Sequence, residues 1–83
     1  MNAQAIAAMY VITLLNKGYF AELTDKGFRS TWEIEEAEKF NSISDAQAIL
    51  NKHGLYPQPG IFKASVAQKL IEEWQKKQSA VAQ

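Results

Sequence analysis

His53 is the only histidine in the 83-residue chain, and cysteine is absent. An imidazole becomes a general base when a carboxylate or a nucleophile is placed against it. No second His and no sequence-adjacent acid accompanies His53. Its place near the end of a helical stretch suits a residue at the negative pole of a helix dipole. The common zinc sets need three or four nitrogen or sulfur ligands, which one His without Cys does not supply. A carboxylate-only calcium site needs the loop spacing of an EF-hand, and the sequence lacks it. Gly18 and Gly27 form no GxGxxG or GxxxxGK[ST] pattern, and each closes a turn. These readings predict no catalytic residue, no metal ligand and no cofactor.

The carboxylates Glu33, Glu35, Glu36 and Glu38 are the densest functional cluster. General acid and base work needs carboxyl pKa values moved by burial or by a close like charge, and an exposed run offers neither. Two readings remain: a solvated helix face, or a patch that binds a partner. Residues 22–45 carry a local charge of −4 and residues 52–83 a local +3, within a chain of nine basic and nine acidic residues. A neutral chain lacks the net positive field behind most non-specific nucleic-acid affinity. Tyr19, Phe20, Phe28 and Arg29 interleave aromatic and basic groups as RNA-binding sheets do. The aromatic and basic signature of that fold is not evident. Tyr56, beside Pro57 in a polar loop, is a candidate surface contact, whereas Trp74 lies on an apolar helical stripe and reads as core. The candidate partner-binding residues are therefore Glu33, Glu35, Glu36, Glu38 and Tyr56.

The elements that must position these residues follow from patterning. Residues 10–15 are β-branched, aromatic and aliphatic, and Asn16-Lys17-Gly18 suits a three-residue hairpin loop with Gly in a left-handed conformation. Residues 19–23 return, with Tyr19, Ala21 and Leu23 on one face. Thr24 to Gly27 turns again in the same manner. Residues 28–32 follow, with Phe28, Ser30 and Trp32 on one face. Ile34, Ala37 and Phe40 recur every three residues and predict a helix over about 33–40. Ser44 with Gln47 predicts the capping box of a helix over about 45–53, ended by Gly54 with Leu55 folding back onto Leu50. Residues 61–64 have the composition of a short extra strand. Ser65 with Gln68 predicts the start of a helix over about 66–78, whose stripe is Val66, Ala67, Leu70, Ile71, Trp74 and Val81. The expected fold is α+β, a three-stranded antiparallel meander followed by helices. The expected organisation is an arm at 1–8, one domain at 9–78 and a frayed tail at 79–83.

A chain this short suits one domain with a modest core and a stability of about 4–12 kcal/mol. Ala5 to Leu15 is apolar, but no Lys or Arg precedes Lys17, no cleavage site follows, and the stretch is too short for a membrane span. Cytoplasmic location and no membrane are the expectation.

The series Gly27-Phe28, Thr31, Glu36-Ala37-x-Lys39-Phe40-x-Ser42 and Asp45-Ala46 resembles small uncharacterised accessory proteins of phages and mobile elements. In those, a hairpin precedes two short helices. The resemblance spans Gly27 to Leu50. It implies stoichiometric binding to a host protein complex, as in anti-CRISPR proteins, which inhibit or modulate their targets. The chain from Ser65 departs from that shorter pattern, so no binding residue is carried over. The leading expectation is thus a non-enzymatic protein-binding module. The alternatives are a small nucleic-acid-associated regulator using the C-terminal lysines, and a homo-oligomer or homodimer that buries the last helix's stripe against a second copy.

Overall fold

The computed structural model describes residues 8–81, with side chains through Lys77. The expected arm, apart from Ala8, lies outside the described residues, as do Ala82 and Gln83 of the expected tail and the side chain of Val81. The fold is α+β. Strands β1 (Tyr10–Leu14), β2 (Gly18–Thr24) and β3 (Gly27–Thr31) form the expected antiparallel meander. A 3-10 turn at Ile34–Glu36 leads to helix α1 (Ile43–His53). The short strand β4 (Gly60–Lys63) then runs directly into helix α2 (Ala64–Val81). The sheet order is β3-β2-β1-β4, with every pair antiparallel.

Successive strand side chains point to opposite faces, and the core divides accordingly. On one face Val11, Tyr19, Ala64, Ala67 and Ile71 pack together, joined by Ile34, Ala37, Trp32, Phe62 and Trp74. This is the face that α2 covers. On the other, Ile12, Leu14, Phe20, Phe40, Ala46 and Leu55 pack with Phe28, Ile49, Leu50 and Ile61 beneath α1. The helices lie on opposite faces, both mainly over β1 and β4. No helix of the described residues is long and apolar enough to cross a membrane.

The structure corrects the expected helix over 33–40. Only three residues of 3-10 turn form. Ala37 then takes extended angles, and Phe40 bridges to Tyr10 in an antiparallel manner. Ile34, Ala37 and Phe40 are all buried, as their spacing required, but not on one stripe: the first two pack beneath α2 and Phe40 beneath α1. The segment passes through the sheet between β1 and β2. Those strands are in register only at Leu14↔Gly18 and Thr13↔Tyr19. Beyond that point Glu38 N–H donates to Phe20 O (3.1 Å), and Tyr10 and Phe40 exchange backbone bonds of 2.9 and 2.8 Å.

A β-bulge between Phe20 and Glu22 accompanies this opening. The bulge corrects the expected faces. Leu23 pairs with Phe28, which packs beneath α1, so Leu23 shares a face with Phe20 and not with Tyr19. Trp32, past the end of β3, packs beneath α2, opposite Phe28. The caps are corrected too. Ser42 caps α1, its Oγ accepting from Asp45 N–H at 3.2 Å, whereas Gln47 bonds Asn51 farther along. Helix α2 needs no Ser65 cap, because it begins at Ala64, whose N–H donates to Met9 O at 2.8 Å. Val66 is 52% exposed, off the stripe expected for it. The left-handed end of α1 at Gly54 (φ 56°) and the burial of Leu55 beside Leu50 agree with the sequence reading.

The first hairpin loop is Leu15–Lys17, with Asn16 left-handed at φ 58°, and Gly18 already paired in β2. The second loop is shorter, with only Asp25 and Lys26 between paired Thr24 and Gly27. Gly18 combines φ +94° with close approach: an added Cβ would lie 2.3 Å from the Thr31 carbonyl oxygen. Gly54 has positive φ with open space around it. Gly54→Ala should therefore cost about 1 kcal/mol, the left-handed penalty alone. Gly18→Ala should cost roughly 3 kcal/mol or more, since β3 must move as well. Chemical denaturation of both variants checks this, and equal costs would show that the β2–β3 approach is not tight.

Candidate functional site

Thr31 organises the acidic segment. It is buried at the end of β3, and its Oγ1 accepts from Glu33 N–H (3.1 Å) while donating to Glu36 Oε2 (3.1 Å). These two bonds fold the chain into the 3-10 turn and commit Glu36 to holding it. Lys39 Nζ reaches back to the Glu35 carbonyl oxygen at 2.8 Å, so this nearby cation bonds main chain and not a carboxylate. Glu33, Glu35 and Glu38 are exposed, and among the described residues none of their carboxylates has an ion-pair partner. The ion pair found there is Arg29–Glu22 (3.0 Å), about half exposed on both sides. A pair of that kind contributes under about 1 kcal/mol.

The candidate residues do not converge on one point. Glu33 and Glu35 line a cleft of about 230 Å³ between the 3-10 turn and α2, together with Tyr19, Trp32, Ile34, Gln68, Ile71, Glu72 and Gln75. Glu38 lies at a second cleft of about 180 Å³, with Phe20, Glu22, Leu23, Phe40 and Ile49. Tyr56 is elsewhere. It is 63% exposed, its ring meets Phe28 edge-on at 5.1 Å, and Lys17 Nζ stands 5.8 Å from its centroid. Tyr56 thus spends one face on packing and presents the rest to solvent.

Sequence reasoning missed Tyr19, Trp32, Gln68, Glu72 and Gln75. The sequence placed Tyr19 and Trp32 only on strand faces, with Tyr19 also among the interleaved aromatics; both pack in the core and border a cleft. Gln68, Glu72 and Gln75 were legible as one polar edge, because spacings of four and three place them on one side of a helix. What it borders depends on tertiary placement.

Tyr19 is only 2% exposed, and its hydroxyl has no hydrogen-bond partner among the described residues. No fully buried polar side-chain atom there lacks a partner, so the hydroxyl opens into the cleft. Burial pushes its pKa up to about 12, helped by the carboxylates of Glu72, Glu35 and Glu33. The phenol therefore stays protonated at neutral pH within a negative field. Among the described residues no group of three His, Cys, Asp or Glu is placed to hold a metal ion. His53 stands exposed in the last turn of α1. Comparison of the chain with protein families, curated proteins and solved structures finds no match.

The Tyr19 pKa has a consequence for stability. The folded state holds the proton more tightly than the unfolded chain, whose tyrosines ionise near 10.0. The contribution is whole below pH 10 and is lost as pH rises towards 12. Denaturation midpoints of the native chain should fall more steeply across that window than those of Tyr19→Phe. Parallel profiles would show that the phenol is not raised.

Proposed function

We propose that the chain is a non-enzymatic protein-binding module that docks a basic segment of its partner along the acidic margin of the 3-10 turn. The observation that carries this reading is the state of Glu33, Glu35 and Glu38. These carboxylates are exposed, without ion-pair partners among the described residues, and held on a segment tied into the sheet by main-chain bonds. A solvated helix face would accommodate acids without constraint, but no helix forms here. The charges sit between two clefts, one on each face of the sheet, the one beside α2 mainly polar and the one beside Phe20 and Phe40 mainly apolar. Such a margin offers a partner both electrostatic steering and pockets for anchoring side chains.

The resemblance to phage and mobile-element accessory proteins points to a host protein complex as the kind of target. The homo-oligomer alternative called for an unused stripe on the last helix; of that stripe Ala67, Ile71 and Trp74 pack against the sheet, whereas Val66 is exposed.

A tagged pull-down from nuclease-treated bacterial lysate, at low and moderate salt, tests the reading against a variant carrying Glu33→Gln, Glu35→Gln and Glu38→Gln. The native chain should retain a protein at near-equal stoichiometry. The variant, folded by circular dichroism, should bind it at least about tenfold more weakly, with a smaller salt dependence. Equal capture by both chains, or recovery of nucleic acid alone, would overturn the proposal.

A further inference from the structure

We propose that the cleft between the 3-10 turn and α2 is the receptor for one arginine side chain of the partner. This rests on the docking reading above and assigns the chemistry of its main pocket.

Three kinds of group meet in the cleft. Carboxylates come from opposite walls: Glu33 and Glu35 from the turn, Glu72 from α2. The side-chain amides of Gln68 and Gln75 flank Glu72 one turn away on either side. Trp32, which is only partly buried, and Tyr19 border the cleft, whose accessible lining is almost wholly polar. The independent observation at the cleft is Tyr19. Its side chain is almost wholly buried, yet its hydroxyl has no partner among the described residues and opens to the cleft. A buried phenol normally finds a hydrogen-bond partner. Nothing described within the cleft is cationic, so no group of the cleft lining balances the three carboxylates.

A guanidinium meets all these demands at once. It is planar and carries five N–H donors in a fixed fork. Carboxylates on two walls and the amide and phenol oxygens between them are acceptors for that fork. An ammonium has a more compact charge, is more strongly hydrated and lacks the planar fork that reaches acceptors on two walls. About 230 Å³ accommodates the guanidinium with part of its stem. The neighbouring exposed acids Glu35 and Glu33 then draw a basic segment towards the opening.

The test is an NMR titration of the full chain with N-acetyl-arginine methylamide, run beside the lysine and the neutral citrulline analogues. A single side chain without its protein should bind with a Kd of about 1–10 mM. The arginine probe should give saturable shifts at the Trp32 indole N–H and the Gln68 and Gln75 side-chain amides. Citrulline should give none, and lysine should bind at least about fivefold more weakly. Glu72→Gln should weaken arginine binding at least about tenfold. Tyr19→Phe, which keeps the ring in the core, should weaken it about threefold. Spectral dispersion shows that each variant is folded. Non-saturating shifts, equal response to citrulline, equal lysine affinity or an indifferent Glu72→Gln variant would overturn the assignment. If the partner is captured by the native chain and lost with the triple glutamine variant while the arginine probe does not bind, docking stands and the arginine pocket falls. If the probe binds but no protein is captured, the docking reading fails by itself.

Discussion

The architecture depends on how two parting strands keep their backbone groups paired. After Thr13↔Tyr19, β2 bulges away from β1, and an opening in mid-sheet would leave buried N–H and C=O groups unsatisfied. Each such group costs about 1–3 kcal/mol when buried without a partner. Residues Glu38 and Phe40 close the opening. The bond from Glu38 to Phe20 holds one lip, and the reciprocal bonds between Phe40 and Tyr10 hold the other. With the main chain engaged on both sides, the Phe40 ring is delivered to the α1 face, whereas Ile34 and Ala37 stay on the α2 face.

That passage lets a chain this short cover both faces of a sheet. Following the meander, the chain has one face to attend to until it crosses through the gap; α1 then forms on the far side. Strand β4 joins the β1 edge, and α2 returns to the first face without an intervening loop, since Lys63 ends the strand and Ala64 begins the helix. Both helices settle mainly over β1 and β4. The β2 region is left to the crossing segment, too narrow to cover it as a helix would. A cleft remains on each face beside that segment. The clefts are thus a consequence of the topology, and the acidic residues lie beside them because they belong to the crossing strand.

The meander, the left-handed end of α1 and the extra strand were legible because local chemistry specifies them. Gly54 and Leu55 announce a helix stop whatever surrounds them, and β-branched runs broken by Asn-x-Gly announce a hairpin. The crossing segment was not legible. Ile34, Ala37 and Phe40 have helical spacing, but their burial comes from two cores, and periodicity does not distinguish one stripe from two destinations. Thr31 gave no signal either, although its hydroxyl joins Glu33 to Glu36 and so fixes the turn. Of the site, Glu33 and Glu35 were visible from composition. The place of Tyr19 and Trp32 beside a cleft was not legible, because a strand-face aromatic has the same sequence signature whether or not it also borders one.

The proposed docking starts from the charge arrangement of the acids. Acids on an ordinary solvated helix are commonly relieved by lysines three or four residues away. Lys39 stands four residues after Glu35, yet its ammonium bonds the Glu35 carbonyl oxygen and leaves the carboxylate unpaired. Glu72 approaches the same cleft from α2, adding to a field that already acts on the Tyr19 phenol. On the proposed reading, a cation from outside the chain balances these carboxylates and is held by the residues that the crossing segment and α2 bring to opposite walls. The feature that completes the sheet and the feature that leaves an incomplete polar cleft are therefore one stretch of chain, Thr31 to Phe40, seen from its two sides.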